Sequence, residues 1–489
     1  MERLAVTKKF LIIAVWIFSI CNFAALFYIA AYQIPFPYSL EWIEGTMMDH
    51  VLRILSGLPI YTAPSIDFVP SPYTPLYFYL SAALCHLFGT SIGILRIISA
   101  LSTFSIIVTL FLWAKKETSS ITAGIFASGL FASTYLLTSN WFFLARNDML
   151  AIAFFMWSAY LLRFCTGKRA LFYSGILMFF SIMTKQNGLV LAAGLFTAGV
   201  FIHRKNILFF ALSLFPMLIF STMLLNELTY GWFWYLTYEM PAHHGTISTR
   251  FLSFFTEDIF QKSLPFFLVT IAFVVFAFKA LRKNEALFYF FLTGSTFLTS
   301  YLGRIKVGGA NNVFIPYFIL GALFTAILLK KALPKNRLLT VLVIMIVIQS
   351  AIAAFNPLRY KPSSKIVKYS EQLLNFVKKS KGDIIVLPSG YTAYLAGKTP
   401  SAHTCLINDM LRNKERKKEF SEMILNSFVE RKYQTVIVNE KLIPEPLKKN
   451  ILKNYKKTAI KSGIVRWIGS SDGSIEPVDI FELKSGKKK

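Results

Sequence analysis

Glu41 and Glu44 stand three positions apart in SLEWIEGTMMDH (39–50), directly after the apolar run FLIIAVWIFSICNFAALFYIAAY. That spacing puts both carboxylates on one face of a helix. A carboxylate at the aqueous edge of an apolar segment suits a general base acting on a substrate that partitions there. Cations recur in similar settings further along: Arg146 in ARND, Lys185 in TKQN, and Arg304 and Lys306 in GRIKVGG. Arg and Lys are natural binders of phosphate oxygens. Acid and cations gathered at the ends of apolar segments are the constellation expected for chemistry on a lipid-linked phosphate.

Each residue also has a plainer reading. Asp49 is expected to pair with Arg53 at i+4. Arg146 is placed equally well as a partner of Asp148, as an anchor to headgroups, or as a phosphate ligand. Lys185 divides two apolar halves, LMFFSIMT and GLVLAAGLF, where a cation is costly unless paired or functional, and function is the favoured reading. One of Arg304 and Lys306 is expected to be an anchor at the membrane surface. The GGANN beside them makes a turn whose amides can meet an anion. Glu239, His243 and His244 in YEMPAHHGTISTR suit an acceptor or a metal, but without a third spaced ligand a solvated loop is the plainer reading. The preceding YGWFWYLTY reads as an interfacial belt. His50, His86 and His403 are isolated. Cys21, Cys85, Cys165 and Cys405 form neither a disulfide framework nor a metal spacing.

The elements that must position these groups follow from hydropathy. The chain has 489 residues, of which 55% are hydrophobic, and its mean hydropathy is +0.53. Repeated apolar stretches of about 20 residues predict a polytopic α-helical membrane protein. The net charge of +27 is then explained by basic cytoplasmic loops and anionic lipid, not by nucleic acid. Spans are expected near 10–32, 93–114, 120–140, 148–165, 170–184, 188–203, 207–226, 263–281, 286–302, 311–329 and 338–355. The basic clusters between them place the N-terminus inside and the candidate site outside. The segment 75–89 would invert that order if it crossed, so an interfacial or re-entrant helix is expected there. The external loop 33–74 should begin with a helix lying on the membrane surface and continue as a strap held extended and stiff by Pro59, Pro64, Pro70, Pro72 and the following Pro75. Residues 1–355 form the membrane domain. Residues 356–489 form a soluble extracytoplasmic α/β domain, with strands at GDIIVLP and QTVIVN and helices at KERKKEFSEMILNSFVERK and PEPLKKNILKNYKK.

Taken in order, EWIEG, YTPLYFY, RND, TKQNG and GGANNVFIPYF resemble the GT-C glycosyltransferases, in particular the family 39-like branch of aminoarabinose transferases and protein O-mannosyltransferases. The resemblance covers roughly 1–355 and rests on order and topology. It implies an inverting transfer of a sugar from a polyprenyl-phosphate donor to a hydroxyl of a glycan, lipid or protein acceptor, at the outer face of a bacterial or archaeal plasma membrane. Glu44 would be the base, with Glu41 supporting it or binding the acceptor. Lys185 and Arg146 would neutralise the departing phosphate, assisted by Arg304 or Lys306. Tyr73, Asp148, His243 and His244 are candidates for acceptor or sugar contact. Two departures stand out. Ile43 precedes Glu44 where the family often has Asp-Glu, which leaves open which glutamate is the base. Tyr73 stands where many relatives have Lys. No cofactor is called for. Some GT-C enzymes use a divalent metal held by acidic loop residues, but no ligand set is legible here. The alternatives are a lipid-linked glycan flippase and a polysaccharide polymerase or ligase.

Overall fold

The computed structural model describes residues 2–333, 336–431, 433–458, 466–468 and 475–484. Apolar runs become helices throughout: α1 (Glu2–Gln33), α2 (Glu44–Leu55), α3 (Leu76–Phe88), α4 (Ile92–Thr118), α5 (Ile121–Ala132), α6 (Asp148–Phe164), α7 (Lys168–Thr184), α8 (Gly188–His203) and α9 (Leu208–Leu228). Three short helices follow, α10 (Trp232–Trp234), α11 (Met240–His243) and α12 (Ser248–Ser253), and then α13 (Leu264–Ala280), α14 (Lys283–Ile305), α15 (Ile315–Ala332) and α16 (Asn336–Ala353). A helix thus occupies each segment expected to span. Among the described residues, six helical stretches are long and apolar enough to cross a bilayer, or seven if the pair Ser248–Gln261 and Leu264–Ala280, bent by 91°, counts as one. The molecule is a polytopic helical membrane protein. The 13 residues of α3 extend about 20 Å, too short to cross the roughly 30 Å of hydrocarbon.

Apolar surface supplies no drive for helices to associate within lipid, so close backbone approach must do so. Gly175 of α7 lies against Ser213 and the carbonyl of Phe210 on α9, and Gly194 of α8 lies against Ser295 of α14, with no room for a Cβ at either crossing.

Beyond α16 come α17 (Ser364–Lys379), α18 (Gly390–Leu395), α19 (Thr404–Met410), α20 (Lys417–Arg431) and α21 (Glu445–Asn454). With them are strands β1 (Ile384–Val386), β2 (Thr435–Val438), β3 (Tyr455–Lys457), β4 (Arg466–Ile468), β5 (Ile475–Pro477) and β6 (Asp479–Leu483). Four strands form a sheet in the order β1-β2-β6-β3. The β1–β2 pair is parallel and the β2–β6 and β3–β6 pairs are antiparallel. The two expected strands are β1 and β2. The end of PEPLKKNILKNYKK leaves the helix and pairs as β3, because Tyr455 finds a buried place opposite β6.

This α/β layer does not have a core of its own on both faces. Ile385, Val436 and Val438 belong to one continuous buried cluster with Met47, Met48 and Val51 of α2, Ile66 and Phe68 of the strap, and Tyr77 and Phe78 of α3. The helix α2 therefore does not lie on the membrane surface as expected. Nine of its 12 residues are buried, and it packs against α18 of the layer. The strap is tied to the layer as well: Ala402 N–H donates to Ile66 O at 2.9 Å, and Ile66 N–H donates to Ser427 Oγ at 2.8 Å.

Burying α2 also overturns the expected Asp49–Arg53 pair. Arg53 Nε donates to the Pro59 carbonyl at 2.5 Å, and its guanidinium lies over Phe68. Asp49 faces Gly390 of α18 instead, where burial pushes its carboxyl well above the usual range. His50, without signal in the sequence, binds the helix to the strap: its Nδ1 meets Thr46 O, and its Nε2 accepts from Ser71 N–H at 2.8 Å. The run YGWFWYLTY is only partly a belt. Tyr230 is 94% exposed, but Phe233, Tyr235 and Leu236 are buried, and Tyr235 OH accepts from Asn413 Nδ2 of the layer at 3.1 Å.

Candidate active site

Glu41 precedes α2, in a turn, and Glu44 is the first residue of the helix. Their fates diverge. Both Glu44 oxygens are saturated. One accepts from Arg96 Nε (3.0 Å) and Ala145 N–H (2.6 Å), the other from Arg96 Nη2 (2.7 Å) and Leu40 N–H (2.6 Å). Burial pushes this carboxyl up, but Arg96 and the two amides more than offset that and hold it below its ordinary value. Arg96 also donates to the carbonyls of Gln33, Phe36 and Tyr38 at 2.6–2.8 Å. The pair is fully buried and fastens the end of α1, the turn and α4 together. The sequence signal for it is an Arg inside the apolar GILRIISA.

Glu41 is held more loosely. Its Oε2 accepts from Ile43 N–H (3.1 Å) and Arg146 Nη1 (3.2 Å), while Oε1 is buried without a partner among the described residues. Burial raises its pKa most, Arg146 opposes that and the Glu44 charge adds to it, leaving the carboxyl at about 7. Arg146 Nη2 donates to Tyr73 OH at 3.1 Å, the guanidinium lies 4.9 Å from the Trp141 ring centroid, and Nε is likewise buried and unpartnered.

Arg146 does not pair with Asp148, because Asp148 already holds three donors: Lys185 Nζ (2.6 Å), Asn312 Nδ2 (2.7 Å) and Trp141 Nε1 (2.8 Å). Lys185 caps α7 and also faces the Tyr73 ring, 5.6 Å from its centroid. Its position is fixed by neighbours on both sides. Asn147 Nδ2 donates to Thr184 O at 2.9 Å, and Gln186 Nε2 donates to Pro72 O at 2.6 Å. Thr74 Oγ1 binds Ile182 O at 2.8 Å, so the strap delivers Tyr73 between the two cations. Beside Lys185, Asp148 and Asn312 opens a narrow cavity walled by Ala151, Ile152, Leu191, Val313 and Pro316.

The structure brings together Glu41, Tyr73, Arg146, Asp148 and Lys185. It commits the other expected cations elsewhere. Arg304 is bound by Asp258 through Nε (2.6 Å) and Nη2 (3.3 Å) and by Gly309 O. Lys306 Nζ donates to Pro241 O at 3.2 Å. In the GGANN turn the Gly309 N–H donates to Lys306 O, just before it Val307 N–H donates to Gly245 O, and Arg250 Nη1 gathers the carbonyls of Arg304, Lys306 and Gly309. The turn reaches the site through Asn312. His243 Nδ1 meets the Glu239 carbonyl. His244 is half-buried with Nε2 unpartnered, its pKa lowered by burial and subject to the charges of Asp409, Arg412 and Lys306. The helix α19 of the C-terminal layer thus comes near enough to contribute charge, and the Cys405 thiol it carries feels both Glu41 and Arg146. Sequence spacing gave no route to this contribution from α19.

No group of three His, Cys, Asp or Glu side chains gathers as a metal's donor set among the described residues. Glu41 and Asp148 instead each hold a cationic side chain.

Helices in this order, with a small α/β layer behind the first loop, form a fold that this chain shares with solved membrane proteins. The particular likenesses are to ArnT from Cupriavidus metallidurans bound to undecaprenyl phosphate, with TM-score 0.56 and 11% identity over 98% of this chain and 99% of that one, and to the oligosaccharyltransferase of Archaeoglobus fulgidus. In complex with Zn and sulfate the latter gives TM-score 0.53 and 11% identity over 95% of this chain and 72% of that one. Tethered to an acceptor peptide containing the NVT sequon, it gives 0.51 and 11% over 96% and 74%. At that identity the likeness is one of fold. No family model and no curated protein matches the sequence.

Proposed function

We propose that this protein is a membrane glycosyltransferase that moves a sugar from a polyprenyl-phosphate donor to an acceptor hydroxyl, with inversion, and that Glu41 rather than Glu44 is the base. The observation that carries the assignment is a pair of open valences. Among the described residues Glu41 Oε1 and Arg146 Nε, on a paired acid and cation, are both buried without partners, with Asn147 Oδ1 and Gln186 Oε1 unpartnered nearby, as expected where substrate groups belong.

In the transfer, the acceptor oxygen attacks the anomeric carbon from the face opposite the phosphate. Glu41 takes the hydroxyl proton, and the carbon–oxygen bond to phosphate breaks with its electron pair going to the phosphate. Arg146 and Lys185 neutralise the charge that grows there, and in a buried site such fixed cations stabilise the transition state strongly. Tyr73 and Asp148 orient the two cations. Arg304, Lys306 and Glu44 are structural, and His243 and His244 flank the acceptor side. No step is routed through a metal, since the carboxylates that would hold one are engaged by Arg and Lys. The site opens on the extracytoplasmic side of a plasma membrane, with the N-terminus in the cytoplasm and residues 356–489 outside.

The test is incubation of the purified protein with radiolabelled polyprenyl-phosphate sugars and a membrane extract. Wild type should move label to a new acceptor, and Lys185→Ala should not. Absence of transfer with every donor, or full transfer by Lys185→Ala, would sink the reading.

A further inference from the structure

A second polar cavity lies outside this site, where the strap meets the C-terminal layer. Its volume is about 240 Å³, and its wall joins Asp67 of the strap to the residues around the start of β1 and the end of α20. Asp67 accepts from Arg431 Nη2 at 2.7 Å and from Tyr433 OH at 3.2 Å. Lys398 Nζ reaches the Ser380 carbonyl at 3.2 Å from the opposite side. Asp383 and Thr399 are exposed and line the opening. Ser401, 4% exposed, belongs to the same wall, and its Oγ has no partner among the described residues.

The chemistry of this wall selects its ligand. Asp67 and Asp383 balance Lys398 and Arg431, so neither an anion nor a metal ion is favoured. Its wall offers acceptors on Asp67 and Asp383 and donors on Lys398, Arg431 and Tyr433, which suits hydroxyl groups that must do both at once. Apolar wall is scant, which disfavours a peptide side chain or a prenyl tail. The volume falls below the roughly 300–1,000 Å³ of pockets for drug-sized ligands, leaving room for one ring. We propose that this cavity binds a single neutral sugar residue of a glycan and serves as an exosite holding the acceptor beyond its reacting hydroxyl. The exosite role rests on the glycosyl-transfer reading, whereas the binding itself does not.

The experiment uses the full chain in lipid nanodiscs, fluorescently labelled, on an array of neutral oligosaccharides. Wild type should retain at least one glycan. Thr399→Trp, which fills the opening from an exposed position, should weaken retention tenfold or more, and Lys185→Ala should leave it unchanged. Retention of no glycan by wild type, undiminished retention by Thr399→Trp, or loss in Lys185→Ala would each overturn the proposal. Failure of transfer in the radiolabel assay with retention intact would count against the enzyme reading alone.

Discussion

At the scale of single residues, the two glutamates make opposite predictions. A buried base with its pKa near 7 works only as the carboxylate, so transfer by wild type should rise with pH through about 7 and level off above it. A flat pH–rate profile would exclude Glu41 as the base. Glu41→Gln should cost roughly 10²- to 10⁴-fold in rate, the usual scale for general-base catalysis, with the protein still folded. Glu44→Gln should act on stability instead. It leaves Arg96 buried without its counter-charge, a loss of about 3–5 kcal/mol, to be read as an early thermal transition. The carboxylates and Lys185 were legible in the sequence because acid and cations beside apolar runs are unusual. Which glutamate keeps an open oxygen for the proposed role of base was not legible, since that depends on Arg96, some 50 positions away in sequence. The division of Lys185 and Arg146 between Asp148 and Glu41 was equally invisible, because spacing left Arg146 as ready to pair with Asp148 as to do anything else.

At the scale of elements, hydropathy placed the long helices well, since each apolar run had one stable answer in lipid. The fate of α2 was lost because its apolar stripe fits a membrane surface or a protein surface equally well, and only the C-terminal layer decides between them. Crossings between helices were also illegible, because a glycine in an apolar helix does not announce its neighbour. They are now testable. Gly175→Leu and Gly194→Leu force side chains into the α9 backbone and Ser295, and each should destabilise by about 1–3 kcal/mol as overpacked contacts do. Thermal aggregation of the purified variants measures this, and wild-type transition temperatures in both would contradict the close approach.

At the scale of the whole molecule, the drop in hydropathy after Phe355 divides the chain by solvent but not by core. The layer's strands share a buried cluster with α2, the strap and α3, so deleting 356–489 should expose that cluster and yield aggregated protein on size-exclusion chromatography. A monodisperse, transfer-competent truncation would refute the shared core. The orientation can be checked separately. Thr399→Cys is exposed and should react with a membrane-impermeant maleimide on intact cells. Labelling only after lysis would invert the topology and move the site to the cytosol.

The two ion pairs beside Tyr73 carry a consequence for selectivity. Because Arg146 and Lys185 already rest on Glu41 and Asp148, the resting pocket carries little net field to attract dissolved phosphate or sulfate. An anion must displace a carboxylate to enter, and a ligand whose long hydrocarbon chain adds affinity of its own is best able to do so. Inorganic phosphate should therefore be a poor inhibitor of the protein.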